Sequence, residues 1–449
     1  MNQSGLSGIR KSFVWLGILA FFSVLNETLF NVALPDIAAE FSIAPSAANW
    51  ANTGFMLSFA VGTAVYGKIS DHVGVKKLLL IGLLTYGGGS LLGFAFHYRF
   101  PLLVVARFIQ GAGASAVPGL IMVIVTRYIE PKHQGKAFGT IGSIVALGEG
   151  IGPVIGGAVA EHIHWSYLFL VPMMTLLSLP FFLRTLPREP SKAGKPDALG
   201  ASLLSLGILA FTLFTTTYQW MILIASALLL AGFALRIRRA EQPFVEPALL
   251  ARKNYICVVL AGAIWLGTAA GFIAMVPYLM KNVYHMPTGL IGSGILFPGT
   301  AAVFVFGILG GTLADKRGTA FTLNAGLCLM GASFALASLL ADQAPWLISC
   351  AVVLAFGGLS FVKTVISTRS SAALNSEEAG SGMGFLNFAC FMAEGIGVAA
   401  VGGLLAKNWL NVQLLPTVNE PAAFLYSNVT LLFAAALLVG KIVFSRAGR

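Results

Sequence analysis

Fourteen windows of about 20 mostly apolar residues, the length of one bilayer crossing, recur along this chain. They run at roughly 13–35, 48–67, 77–96, 101–121, 136–158, 165–184, 198–217, 220–236, 255–278, 290–313, 320–341, 346–368, 382–405 and 424–445. Inside hydrocarbon every backbone polar group must find a partner within the protein, and a bundle of α-helices meets that demand because each helix closes its own hydrogen bonds. Composition agrees: charged residues make up 10% of the chain, against roughly a quarter in soluble domains. The first run, Phe13 to Leu25, has the look of a signal peptide. Its apolar character continues past Glu27 with no small-residue cleavage pattern, so it reads as a retained first helix.

An even number of crossings puts both termini on one side. With the termini in the cytoplasm, the inner segments hold 23 Lys and Arg and the outer loops three, Arg99, Lys281 and Lys407. That asymmetry satisfies the positive-inside rule. The net basic charge of +11 therefore orients the chain rather than marking a nucleic-acid surface. Cys257, Cys328, Cys350 and Cys390 all fall in apolar stretches without a C-x-x-C pair, which argues against a zinc site and for small core hydrophobes.

Polar inner connections flank windows seven and eight. The expected organisation is a six-helix bundle over 1–186, an inserted pair with its flanking loops over 187–254, and a second bundle over 255–449. An internal repeat supports the two bundles. Gly67-Lys-Ile-Ser-Asp71-His-Val-Gly74 and Gly311-Thr-Leu-Ala-Asp315-Lys-Arg-Gly318 share the spacing G-x-x-x-D-x-x-G after equivalent spans. Asp71 and Asp315 are expected to cap a helix N-terminus or to pair with Lys76, Lys77 or Arg317, and a gate at this mouth is a second reading. No G-x-x-x-x-G-K-[ST] phosphate loop occurs, so an ion gradient rather than ATP is expected to supply the energy.

Ionised groups at membrane depth are functional candidates by default, and five fall within spans: Glu27, Arg107, Glu149, Lys363 and Glu394. Lys363 lies about five residues from the inner end of its window and is expected to snorkel to the headgroups. Arg107 shares a helix face with Gln110 and Gly111, where it would pair with a carboxylate or line a cavity. The three glutamates are the groups at that depth able to exchange a proton near neutral pH. Glu149 is the preferred carrier, because it sits in "GEGIGPVIGG", where Gly148, Gly152 and Gly156 repeat every four residues and permit close helix contact. Packing alone accounts for those glycines and for Pro153, but not for a carboxylate among them. Around Glu27, Asn26 and Asn31 supply amides; Asn387 shares a face with Glu394. The bland readings are a carboxyl permanently neutralised by hydrogen bonds for Glu27 and a structural acid trapped between bundles for Glu394. Trp50, Phe55, Tyr278, Phe385 and Phe388 are able to stack a flat solute, but each is better explained by packing.

These stretches resemble the major facilitator superfamily. "GKISDHVGVKK" resembles its loop motif and "GEGIGPVIGG" its antiporter motif. With "FFSVLNETLFNVALPDIA", "ARFIQGAGA", "IHWSYLFLVPM" and "GGLSFVKTVIST", the likeness extends to fourteen-helix tetracycline(metal)/proton antiporters of classes K and L, most closely class L. The resemblance implies a carrier, not an enzyme, in the bacterial cytoplasmic membrane. It would export tetracycline as a monocation with a divalent metal such as Mg in exchange for protons, with Na or K ions as further partners. No resident cofactor and no fixed metal site are implied. It assigns Asp71 and Gly74 to the loop motif, Arg107 to the fourth-helix motif, and Glu149, Gly152, Pro153, Gly156 and Gly157 to the antiporter motif. Glu27, Asp197, Asp315 and Glu394 fall in matching acidic contexts. His72 departs from the Arg or Lys usual after the loop aspartate. Three rivals stay open: a multidrug antiporter for lipophilic cations, a non-transporting sensor or scaffold, and an uptake symporter, which the antiporter motif disfavours.

Overall fold

The computed structural model describes residues 4–128, 131–186, 197–240, 243, 247–374 and 379–446. The described residues are 88% helical, with no strand among them. In order the helices are α1 (Ser4–Glu40), α2 (Pro45–Ala48), α3 (Trp50–Val73), α4 (Val75–Ala95), α5 (Phe100–Ala114), α6 (Ala116–Tyr128), α7 (Pro131–His162) and α8 (Leu179–Thr185). They continue with α9 (Ala198–Thr217), α10 (Trp220–Ile237), α11 (Pro247–Ala251), α12 (Lys253–Tyr284), α13 (Thr288–Leu290), α14 (Phe297–Arg317), α15 (Thr319–Leu339), α16 (Pro345–Ala372), α17 (Ala379–Leu405) and α18 (Pro421–Ser445). Twelve helical runs among the described residues are long and apolar enough to cross a bilayer. The other two sequence windows, 48–67 and 136–158, fall on α3 and α7, whose windows are rich in Gly, Ser, Thr and Asn rather than Leu.

Two windows are less regular than their hydropathy suggests. Window 101–121 breaks at Ser115 into α5 and α6. Window 165–184 winds as two 3-10 runs, Trp165–Phe169 and Val171–Ser178, before α8. Pro172 and Pro180 stand at the starts of the second run and of α8, where a residue without an N–H interrupts the i→i−4 ladder at least cost.

The repeated octapeptide produces the same backbone event twice. Gly74 (φ 85°) is the single residue between α3 and α4, and Gly318 (φ 82°) the single residue between α14 and α15. Positive φ with extended ψ is essentially open to glycine alone, so each motif ends one helix and starts the next without a loop. Asp315 does not cap a helix N-terminus. Asp315 is exposed within the last turn of α14, and the α4 and α15 N-termini carry no side-chain cap. The backbone at Asp71 also falls in the last turn of α3, with its side chain outside the described parts. Lys76 donates to the carbonyls of Leu183 and Leu186 at the end of α8.

α9 and α10 pack on each other, tied by Ser226 to the Gly207 carbonyl (2.8 Å) and by the Arg236–Asp197 ion pair (3.1 Å). Asp197, expected as a loop acid, also caps α9 by accepting from the Gly200 N–H. α9 lies against both α3 and α17. Leu57 and Ala60 of α3, Leu204 of α9, Phe233 of α10, and Phe388 and Met392 of α17 share one apolar cluster there. The cysteines divide: Cys390 is buried, whereas Cys328 and Cys350 are exposed on helix faces rather than in the core expected for them.

Candidate transport site

The first-half charge is enclosed. Arg107 on α5 is 0% exposed, and its guanidinium lies between the rings of Phe30 and Phe55, 4.1 and 4.3 Å from their centroids. Nε donates to the Ala51 carbonyl (3.0 Å), Nη1 to Asn26 (3.2 Å) and Gln110 (2.9 Å), and Nη2 to Asn52 (3.3 Å). Gln110 passes the network on to Ser90 at 2.8 Å, and Asn52 donates to Asn31. Three predicted cavity residues, Asn26, Asn31 and Gln110, are thus brought together as Arg107's own hydrogen-bonding frame. A delocalised cation on aromatic faces with several fixed acceptors is the arrangement that suits arginine in a dry interior.

The second-half charge is looser. Glu394 on α17 is 7% exposed, and Lys363 on α16 sets its Nζ 3.7 Å from Glu394 Oε1 with the lysine side chain 45% exposed. Lys363 therefore turns to a carboxylate instead of running to the headgroups as expected. A four-carbon stem with a single ammonium has enough reach for either, and the buried acid decides it. Glu149 on α7 acts electrostatically on Glu394, and Glu394 in turn acts on the Cys390 thiol one turn away on α17. Two of the three glutamates singled out in the sequence, one on α7 and one on α17, hence lie within electrostatic reach of each other. The side chain of Glu27, the third, lies outside the described parts, as does that of Asp71. Asn387 is exposed on α17, two turns from Glu394.

The antiporter motif works on two faces. A Cβ added at Gly148, Gly152 or Gly156 would meet the Phe21 carbonyl at 2.7 Å, the Thr28 hydroxyl at 1.8 Å or the Leu29 carbonyl at 2.3 Å, all on α1. Those glycines let α7 lie on α1. The opposite face meets the second bundle: a Cβ on Gly157 would sit 2.8 Å from the Thr288 carbonyl, and one on Gly292 2.1 Å from the Pro153 carbonyl. Gly292 belongs to a π-helical turn, Ile291–Leu296, a local widening that often marks functional sites. Pro153 has no N–H to give the Glu149 carbonyl four residues before it, and Thr300 of α14 donates to the next carbonyl, Gly150, at 3.0 Å.

Polar links across the seam gather at the end opposite Gly74 and Gly318. Lys281 of α12 pairs with Asp36 of α1, and Thr288 donates to the same carboxylate at 2.7 Å. The Gly289 N–H donates to Glu161. Deeper in, buried Asn49 donates to the Val398 carbonyl (2.9 Å) and accepts from Tyr278 (2.8 Å), while Thr53 donates to the Gly395 carbonyl. α3 meets α17 and α7 meets α14 along this closed end. Sequence reasoning passed over Asn49 and Asn52 and sent Lys363 to the headgroups. The amides are ordinary in any helix, though two of them within four residues of an apolar window was a usable signal. Tyr278 was noted as a stacking candidate, but its hydroxyl fastens the seam instead. Among the described residues no group of three or more His, Cys, Asp or Glu is placed to hold a metal.

Comparison with known proteins agrees with this architecture. A bacterial homologue of the human lysosomal transporter Spinster, solved in an inward-facing and unoccupied conformation, superposes with a TM-score of 0.68 at 14% identity, covering 100% of this chain and 98% of that one. The riboflavin transporter RibZ of Clostridioides difficile is 26% identical over 86% of each chain. The multidrug resistance protein Stp of Mycobacterium tuberculosis is 26% identical over 89% of this chain and 76% of its own. The Major Facilitator Superfamily model matches residues 16–398. With two helical bundles meeting at a seam that carries buried charge, the chain belongs to the Major Facilitator Superfamily and is a multi-pass membrane transporter.

Proposed function

We propose that this transporter is a secondary active efflux antiporter of the bacterial cytoplasmic membrane, with both termini cytoplasmic, that exports a cationic drug in exchange for protons. The preferred cargo is the tetracycline–divalent metal monocation, with the metal arriving as part of the cargo and Na⁺ or K⁺ exchange as a further mode. The observation that carries the reading is the buried Glu394 carboxylate, set against Lys363 and within electrostatic reach of Glu149 at the seam. A carboxylate there is costly to leave charged and unpaired. It accepts either a proton or a cation, and each expels the other. Proton loading on one side and cation loading on the other then give obligatory exchange once the seam alternates between sides.

In this account Glu149 carries the proton and shares its charge with Glu394, while Arg107, Asn26, Asn31, Asn52 and Gln110 hold the first bundle's core in register. The two bundles, 1–186 and 255–449, rock about the seam, and 187–254 supplies the inserted pair. Closure at the Asp36–Lys281 end leaves the site to load from the Gly74–Gly318 end, the cytoplasmic side under the charge asymmetry.

A second reading, lipophilic organic cations as cargo, is supported by the drug-resistance name of Stp at 26% identity. One experiment separates the two. Everted vesicles energised by a proton gradient are expected to take up tetracycline only with a divalent metal present. Metal-independent ethidium uptake without tetracycline uptake would transfer the assignment to lipophilic cations.

A further inference from the structure

Thr288–Arg317 runs as one continuous helix, and its π turn, Ile291–Leu296, divides what the two bundles hold. Before the turn the grip comes from the first bundle. Thr288 donates to Asp36 of α1 at 2.7 Å, and the Gly289 N–H donates to Glu161 of α7. Lys281 completes this latch by pairing with Asp36 and donating to the Thr288 hydroxyl at 3.1 Å. After the turn the grip comes from the second bundle. A Cβ on Gly299 would lie 2.5 Å from Val352 and one on Gly310 2.9 Å from Phe361, so α14 lies close on α16. The turn itself is held from both sides: Gly292 has its backbone against the Pro153 carbonyl of α7, and the Ser349 hydroxyl of α16 reaches the carbonyls of Gly294 (3.0 Å) and Ile295 (3.3 Å).

A π turn bonds i→i+5 and so takes in one residue more than the α-helix around it. Taking that residue back into an i→i+4 ladder would rotate the segment before the turn by about 100° and shift it by about 1.5 Å relative to α14. Thr288 and Gly289 would then face away from Asp36 and Glu161. The π register and the latch contacts therefore go together.

We propose that this turn is a register switch. It keeps Thr288 and Gly289 in phase with Asp36 and Glu161 while the outer seam is closed, and returns to α-helical register when that seam opens, turning its own latch residues out of reach. The inference needs a seam that opens and closes, but neither the cargo nor the proton site proposed above. Two features of the turn support it. Gly294 is exposed, and among the described residues a Cβ there would meet nothing within 4 Å, so the backbone has room to rewind. The Ser349 hydroxyl has one proton to give and two carbonyls one residue apart to give it to, so it follows a one-residue change of register by passing from one to the other.

Two spin-label distances within the second bundle test the switch, because rigid rocking of the bundles changes neither. One pair, Leu290→Cys with Trp346→Cys, joins the segment before the turn to the start of α16. The other, Phe304→Cys with Trp346→Cys, lies beyond the turn. All three positions are exposed, and the native cysteines are replaced by serine. Releasing the latch with Asp36→Asn and Glu161→Gln together is expected to change the first distance by several ångströms, up to about 8 Å for such a rotation at a side-chain radius of about 5–6 Å. The second distance should stay as it is. Deleting Gly294 removes the extra residue without touching the latch and is expected to reproduce that displacement and to lengthen the distance between labels on the ends of α1 and α12. Adding Asp36→Asn to the deletion should lengthen it no further. Should the deletion fail to fold, Ser349→Ala is expected to move both distances part of the way, with Ser349→Thr matching the wild type. Ends of α1 and α12 that part while the Leu290 pair keeps its wild-type distance would overturn the proposal, as would an equal displacement of the Phe304 pair. The distances need no cargo. A displaced Leu290 pair with no tetracycline uptake by the wild type would sink the cargo assignment and leave the switch standing; metal-dependent uptake with a fixed Leu290 pair would do the reverse.

Discussion

Arg107 and Lys363 are both cations within membrane spans, one in each bundle, and their surroundings differ in almost every respect. Arg107 is fully buried, lies between two aromatic rings and spends its donors on four oxygen acceptors. Lys363 is half-exposed and stands at a loose 3.7 Å from its carboxylate. Membrane depth alone therefore does not separate a working charge from a structural one. Hydrogen-bond saturation and access to water do, because a group that must change partners during a cycle cannot already have all of them fixed.

The largest effect that tests this contrast is on stability. Arg107→Ala strands buried acceptors on Asn26, Asn52 and Gln110 and is expected to cost about 3–5 kcal/mol, seen as a large fall in Tm in detergent. Lys363→Ala should cost less, because the buried Glu394 left behind takes up a proton in place of the lost ammonium, while altering transport. Equal losses would break the comparison.

Next in size is Gly292→Ala. Its Cβ would lie 2.1 Å from the Pro153 carbonyl, and overpacking of about 1–3 kcal/mol against the closed seam corresponds to roughly a 5–150-fold shift of population. Spin labels on the ends of α1 and α12 should report a longer mean distance. Asn49→Ala removes the links to Tyr278 and Val398 and should move the same distance the same way, by about 1–2 kcal/mol.

The smallest effect lies outside the spans. Burial would lift the Asp342 carboxyl, but the N–H groups of Glu420 and Asn419 that it accepts hold it below the usual carboxylate range. A folded value below the unfolded one, about 3.9, contributes stability above that pH and loses it as pH falls through the folded value. Hydrogen exchange at Asn419 and Glu420 should stay slow at neutral pH and quicken only below about pH 4. Protection that fades already near neutral pH would contradict the assignment.

How far the sequence discloses this arrangement depends on range. The glycine breaks at 74 and 318 were legible because the repeat marked both and the requirement is local to the backbone. The spacing of Gly148, Gly152 and Gly156 likewise announced a close helix contact, though not that α1 would supply it. Asp315 was misread because helix α14 runs on through the acid to Gly318. The pairing of Lys363 with Glu394 was hidden, since residues on different helices meet only through packing that no periodicity records. Glu149 and Glu394 were individually conspicuous as charges in apolar windows, and it took the fold to bring them within electrostatic reach of each other.

The central claim is that the seam carboxylates exchange one positive charge for another. Proton-driven uptake of tetracycline with Mg²⁺ into everted vesicles, compared among wild type, Glu149→Gln and Glu394→Gln at equal membrane abundance, tests it most directly. The account predicts that the wild type accumulates drug and releases protons while both variants do neither. Drug accumulation still driven by the proton gradient in either variant would contradict it.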